Sequence, residues 1–128
     1  MFVPLAKWAM LLAGNYRCVT RDGMIAIRDA VHGNLEETRA VYEWVVELCV
    51  KLGAAPADMV PFEKYANAAL SLQSPSSAAR ALAAGAPNIE RVDRLVQLVG
   101  AQHGLRSATV DETVTRVDEW LVRNRRKG

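Results

Sequence analysis

Apolar residues recur along most of this chain at the three- and four-residue spacing of an α-helix. The clearest run opens at Asn34-Leu35-Glu36-Glu37, a capping box in which the Asn side chain takes up a free backbone N–H and the Glu three residues on returns the bond. Behind it Val41, Trp44, Val45, Leu48, Cys49 and Leu52 fall on one face, and Gly53 suits the C-terminal cap. The pattern predicts a central helix from Asn34 to Gly53 with Trp44 and Leu48 buried. A second box, Thr109-Val110-Asp111-Glu112, predicts a helix whose stripe is Val110, Val114, Val117, Trp120 and Leu121. Between them Ile89, Val92, Leu95, Val96 and Val99 form the face of another helix, closed by Gly104.

Three earlier segments follow the same period with less sharply marked ends. Pro4 suits the first turn of a helix running to about Tyr16, and Thr20 can cap a short one through Met24, Ile25 and Ile27 to Gly33. Pro56 and Pro61 bracket a loop or first turn before Phe62, Tyr65, Ala66 and Leu70. No segment alternates with period two between hairpin turns, so no strand is predicted. The expected fold is all-α, a single compact domain of about seven helices over residues 1–128.

Composition changes this picture little. With 128 residues, 51% of them hydrophobic, the chain can bury the core of one domain. A net charge of +2, from 16 Lys and Arg against 14 Asp and Glu, is too balanced to demand a nucleic acid or a membrane as partner. The basic residues Arg123, Arg125, Arg126 and Lys127 suit the negative end of a helix dipole. Cys18 and Cys49 sit inside apolar helical patterns, lack the spacing of a redox pair or zinc site, and read as buried thiols. The start carries no evident secretory signal, and no apolar run approaches the roughly 18 residues of a membrane span. A cytoplasmic protein is expected.

Several chemistries are excluded before function is argued. There is no Gly-rich turn between a strand and a helix, so no cofactor-binding residues for a dinucleotide are assigned. His32 and His103 each precede a glycine at a helix end and have no second ligand at metal spacing, so no metal site is assigned either. Trp8, Trp44 and Trp120 lie on apolar stripes and are expected in the core rather than on a stacking platform.

The run Ser74-Pro75-Ser76-Ser77 is different, because its surroundings make polar groups available. With Ser74 as N-cap and Pro75 at the first helical position, Ser76 and Ser77 offer hydroxyls and backbone N–H groups at a positive helix end, an arrangement that suits a carboxylate. The same spacing is also met by a cap with no ligand.

This segment, continued through Ala84-Gly85-Ala86-Pro87-Asn88-Ile89-Glu90-Arg91 to His103-Gly104-Leu105, resembles the substrate-domain signature of the ketopantoate reductases (2-dehydropantoate 2-reductases). Weaker matches are Trp8 to Asn15 and the helix ending Lys51-Leu52-Gly53. The resemblance implies the C-terminal, all-helical substrate-binding and dimerisation domain of an NADPH-dependent oxidoreductase of pantothenate biosynthesis, acting on a 2-keto acid. It implies a homodimer, NADPH held by an N-terminal nucleotide-binding domain supplied in cis or in trans, and no activity of this chain alone. By the same resemblance Ser76 and Ser77 bind the substrate's acid group; counted back from His103-Gly104-Leu105, Asn88 falls at the catalytic acid's position with Glu90 at the second acid's, and counted forward from Ser77, Ile89 falls there instead. Met10 falls where the family carries a lysine that stabilises the developing alkoxide, leaving Lys7, one turn earlier, as the stand-in and Asn15 as a further polar contact. The implied catalytic residues are therefore Glu90 and Lys7, and the substrate-binding ones Ser76, Ser77, Asn88 and Asn15.

A reading of a different class is a non-catalytic helical interaction module, in which residues 90–122 form a helix-turn-helix and the basic tail meets phosphates. Val110-Asp111-Glu112 weighs against it, since it puts two carboxylates where those phosphates would lie.

Overall fold

The computed structural model describes residues 4–127. Seven α-helices are present among them: α1 (Leu5–Met10), α2 (Ile27–His32), α3 (Leu35–Lys51), α4 (Phe62–Ala69), α5 (Ser77–Ala83), α6 (Val92–Gln102) and α7 (Ala108–Lys127). The described residues contain no strand, only an isolated antiparallel bridge between Val19 and Met24. No helix among them is long and apolar enough to cross a membrane.

Helix α3 is the axis, packing against α1, α2, α4 and α7. Its cap is half of the expected box: Asn34 Oδ1 accepts from the Glu37 N–H at 3.2 Å, while the Glu37 carboxylate pairs with Arg17 at 2.9 Å. Val41, Val45, Leu48 and Cys49 are buried on its inner face. Tyr42 joins them, stacked on Tyr65 at 5.5 Å between ring centres and edge-on to Phe62 at 5.4 Å. Cys18 and Cys49 are both buried free thiols. Burial pushes the thiol of Cys49 up to about 11.

The first helical stretch does not run evenly to Tyr16. After α1 the chain widens into a π-helical turn, Leu11–Asn15, and then tightens into a 3-10 turn, Tyr16–Cys18. The widening shows in the Tyr16 N–H, which donates to the Leu11 carbonyl five residues back. Within it Gly14 is buried against Tyr65, whose hydroxyl donates to the Met10 carbonyl at 3.2 Å.

Four local expectations need correction. Thr20 caps no helix: its hydroxyl closes a turn on Gly23, and α2 begins only at Ile27. Ser107 rather than Thr109 caps α7, its Oγ accepting from the Val110 N–H at 3.2 Å. Trp44 is half-buried, because its ring lies against Gly100 of α6 at the edge of the core rather than in its centre. On α6 the inner face is Val92, Asp93, Val96 and Gly100, which leaves Leu95 and Leu98 46% and 51% exposed. A buried ion pair explains the rotation of that face: Arg91 grips both oxygens of the fully buried Asp93 at 3.0 Å and reaches Asp118 of α7 at 2.7 Å.

Candidate functional site

The serine run folds in a way its own sequence does not announce. The Leu72 and Ser74 carbonyls accept from the backbone N–H groups of Arg28 and Ile27, at 2.9 and 3.0 Å, tying residues 72–74 to the start of α2. The cap of α5 is therefore Ser76, not Ser74: its Oγ accepts from the Ala79 N–H at 3.2 Å and donates to the Asn15 carbonyl at 2.6 Å. Ser76 is 3% exposed with its hydroxyl committed on both sides, whereas Ser77, one residue on, is exposed.

The second half of the site also departs from expectation. Asn88 and Glu90 are not in the first turn of a helix; residues 86–91 are non-helical, and α6 starts at Val92. Long-range bonds hold this segment. The Tyr16 hydroxyl donates to the Glu90 carbonyl at 2.5 Å and accepts from the Val92 N–H at 3.0 Å. Burial raises the phenol to about 12, with the Val92 N–H opposing the rise. From α7 the buried Asn124 donates to the Leu82 and Ala86 carbonyls at 3.0 and 2.9 Å, and Arg125 donates to the Pro87 carbonyl at 2.9 Å.

The result is an open cavity of about 600 Å³ between α1, the π turn, α5 and the 86–91 segment. Lys7, Asn15, Ser77, Asn88 and Glu90 line it, together with the apolar Pro4, Leu11, Ala78, Ala81, Ile89 and Val92. The π turn matters here: Lys7 and Leu11 are four residues apart and Leu11 and Asn15 another four, and the wide turn carries all three to the cavity. Met10 packs against the core instead. Five of the six residues singled out above thus meet, and Ser76 does not. It lines a neighbouring depression, shared with Asn15 and Ser77, and its role in the geometry is to tie α5 to the π turn.

The cavity can seat a small molecule with a polar head and an apolar body. Lys7 supplies a positive charge, Asn15, Ser77 and Asn88 supply neutral polar groups, and Glu90 supplies a carboxylate, all exposed or half-buried over an apolar floor. Sequence reasoning missed Tyr16, Asn124 and Arg125, whose partners are 37 to 76 residues away and leave no local signal.

A second, more polar cleft of about 490 Å³ lies between the 19–22 turn, the start of α3 and α7. Its charges are balanced: Arg17, Arg21 and Arg116 face Asp22, Glu37 and Glu112, with Arg17 bonded to Glu37 at 2.9 Å and Arg116 to Glu119 at 3.1 Å. Among the described residues no group of His, Cys, Asp or Glu could hold a metal ion. His32 Nε2 is bonded to the Ala66 carbonyl at 2.7 Å. In the basic tail, Arg123 donates to the Arg21 carbonyl at 3.2 Å and lies over the Trp120 ring, so with Arg125 it is occupied within the molecule. No family model, no curated protein and no solved structure matches the chain.

Proposed function

We propose that this chain binds a small 2-keto acid in the cavity between the π turn and residues 86–91, as the substrate domain of a ketopantoate-reductase-like oxidoreductase. The observation that supports this is convergence: Lys7, Asn15, Ser77, Asn88 and Glu90, drawn from separate stretches of the chain, line one cavity. The Lys7 ammonium and the Ser77 hydroxyl offer donors to the ligand's oxygens, and the apolar floor of Leu11, Ala81 and Ile89 takes an aliphatic body. Lys7 and Glu90 are the groups able to stabilise a negative oxygen and to exchange a proton with it.

Among the described residues no Gly-rich turn joins a strand to a helix, the element on which a βαβ fold seats a dinucleotide's pyrophosphate. In this reading NADPH belongs to a separate nucleotide-binding domain, in cis or in trans, and this chain seats and orients the acid. The test is a titration of the isotope-labelled chain with 2-oxoisovalerate, followed by amide chemical shifts. Saturable shifts grouped at residues 7–16, 77–81 and 88–92 are expected. Shifts scattered elsewhere, or none at millimolar ligand, would overturn the reading.

A further inference from the structure

Arg125 reaches from the end of α7 to the cavity rim. Its Nε donates to the Pro87 carbonyl at 2.9 Å and one Nη donates to the side-chain oxygen of Asn88 at 3.1 Å. A guanidinium carries donors only, so the end of the Asn88 amide that meets it is the oxygen. The amide's other end, an NH2 group, has no bonded partner among the described residues, and Asn88 lines the cavity. One residue earlier in α7, the buried Asn124 fixes the backbone leading into Asn88 through the Leu82 and Ala86 carbonyls. The amide is thus oriented by one neighbour while its backbone is anchored by the other.

We infer that Arg125 is a positioning residue that sets ligand specificity: it holds Asn88 as a hydrogen-bond donor toward the cavity, so the ligand group seated there is an acceptor oxygen, a carboxylate or a ketone. This rests on the acid-binding reading above and adds a residue that touches no ligand. Turning the amide round would place its oxygen against an anion's oxygen, a repulsive contact between two acceptors.

Two measurements decide it. In the first, a carboxyl is introduced by Asn88→Asp and its pKa followed by NMR, in the otherwise unchanged chain and again with Arg125→Gln. The pKa is expected below the ordinary value of about 3.9 beside Arg125 and close to that value without it. In the second, 2-oxoisovalerate binding is compared across the unaltered chain, Arg125→Gln and Arg125→Lys. Loss of one oriented donor is expected to weaken binding about five- to tenfold in Arg125→Gln, with partial rescue by Arg125→Lys and little change in Tm. Equal affinity in Arg125→Gln, or a carboxyl at position 88 indifferent to Arg125, overturns the inference while acid binding stands. An unaltered chain that binds no acid overturns the acid-binding reading, and with it the specificity assigned to Asn88, even where the first measurement shows the contact.

Discussion

Ser76 and Ser77 carry the same side chain in opposite surroundings. Ser76 is buried and doubly bonded; Ser77 is exposed on the cavity wall, with a long 3.4 Å contact from Arg80. Ser76→Ala removes a helix cap and leaves the Asn15 carbonyl without its hydroxyl donor, so it should cost about 1–3 kcal/mol of stability. Ser77→Ala should stay within about 0.5 kcal/mol of the unaltered chain and yet weaken acid binding. Denaturant melts and ligand titrations of both variants separate the two roles. Tyr16 acts at the same scale through its proton. Its phenol, raised to about 12, and the Cys49 thiol, raised to about 11, hold protons that the unfolded chain gives up near 10.0 and 9.0. In that interval the native state binds more protons than the unfolded one, so stability is full below about pH 9 and falls as pH rises toward 12. Melting curves across pH 8–12 should show this decline, and Tyr16→Phe should make its upper part shallower, the remainder coming from Tyr42 and Tyr65, whose phenols burial also raises.

Among the elements, the amphipathic helices were the most legible. Asn34, the stripe from Val41 to Cys49 and the stripe from Val110 to Leu121 announce α3 and α7, because local capping and burial act together there. Of the residues named through the resemblance, Lys7, Asn15, Ser77, Asn88 and Glu90 line one cavity and Ser76 does not, and the way they come together was not legible in the sequence. Asn88 and Glu90 were expected on a helix start; what holds them instead is Tyr16 from one side and α7 from the other. The choice of Ser76 over Ser74 as cap follows from backbone pairing with α2, which no pattern within Ser74–Ser77 encodes. The π turn was equally invisible, since its wide register is stabilised from outside, by Tyr65 packed on Gly14. A methyl group at position 14 would overlap the Tyr65 hydroxyl. Gly14→Ala should therefore cost about 1–3 kcal/mol by overpacking, and should shift the amide resonances of Leu11 and Asn15 at the cavity. Unchanged stability and spectra would show that the turn keeps its register without Tyr65.

At the scale of the whole molecule, α7 joins the parts that the other helices leave apart. Trp120 Nε1 donates to the Thr20 carbonyl at 2.7 Å, Arg123 reaches the Arg21 carbonyl, Asp118 meets Arg91, and Asn124 holds the end of α5. Asn124→Ala removes the side-chain donor from the Ala86 carbonyl and leaves the Leu82 carbonyl with its Gly85 N–H bond, which should cost about 1–3 kcal/mol. Hydrogen exchange should then quicken at Leu82–Glu90 before it does in α3, and uniform quickening across both would show that Asn124 supports the core as a whole rather than the cavity wall.

The cavity walls are tied to each other by bonds spanning 61, 74 and 38 residues, from Asn15 to Ser76, Tyr16 to Glu90 and Pro87 to Arg125. No local fragment of the chain can therefore carry the site, and occupancy is thermodynamically linked to global unfolding. A ligand present at a hundred times its dissociation constant stabilises the native state by about 2.7 kcal/mol. The rise in melting temperature then ranks candidate acids directly, with no catalytic turnover needed to read out binding.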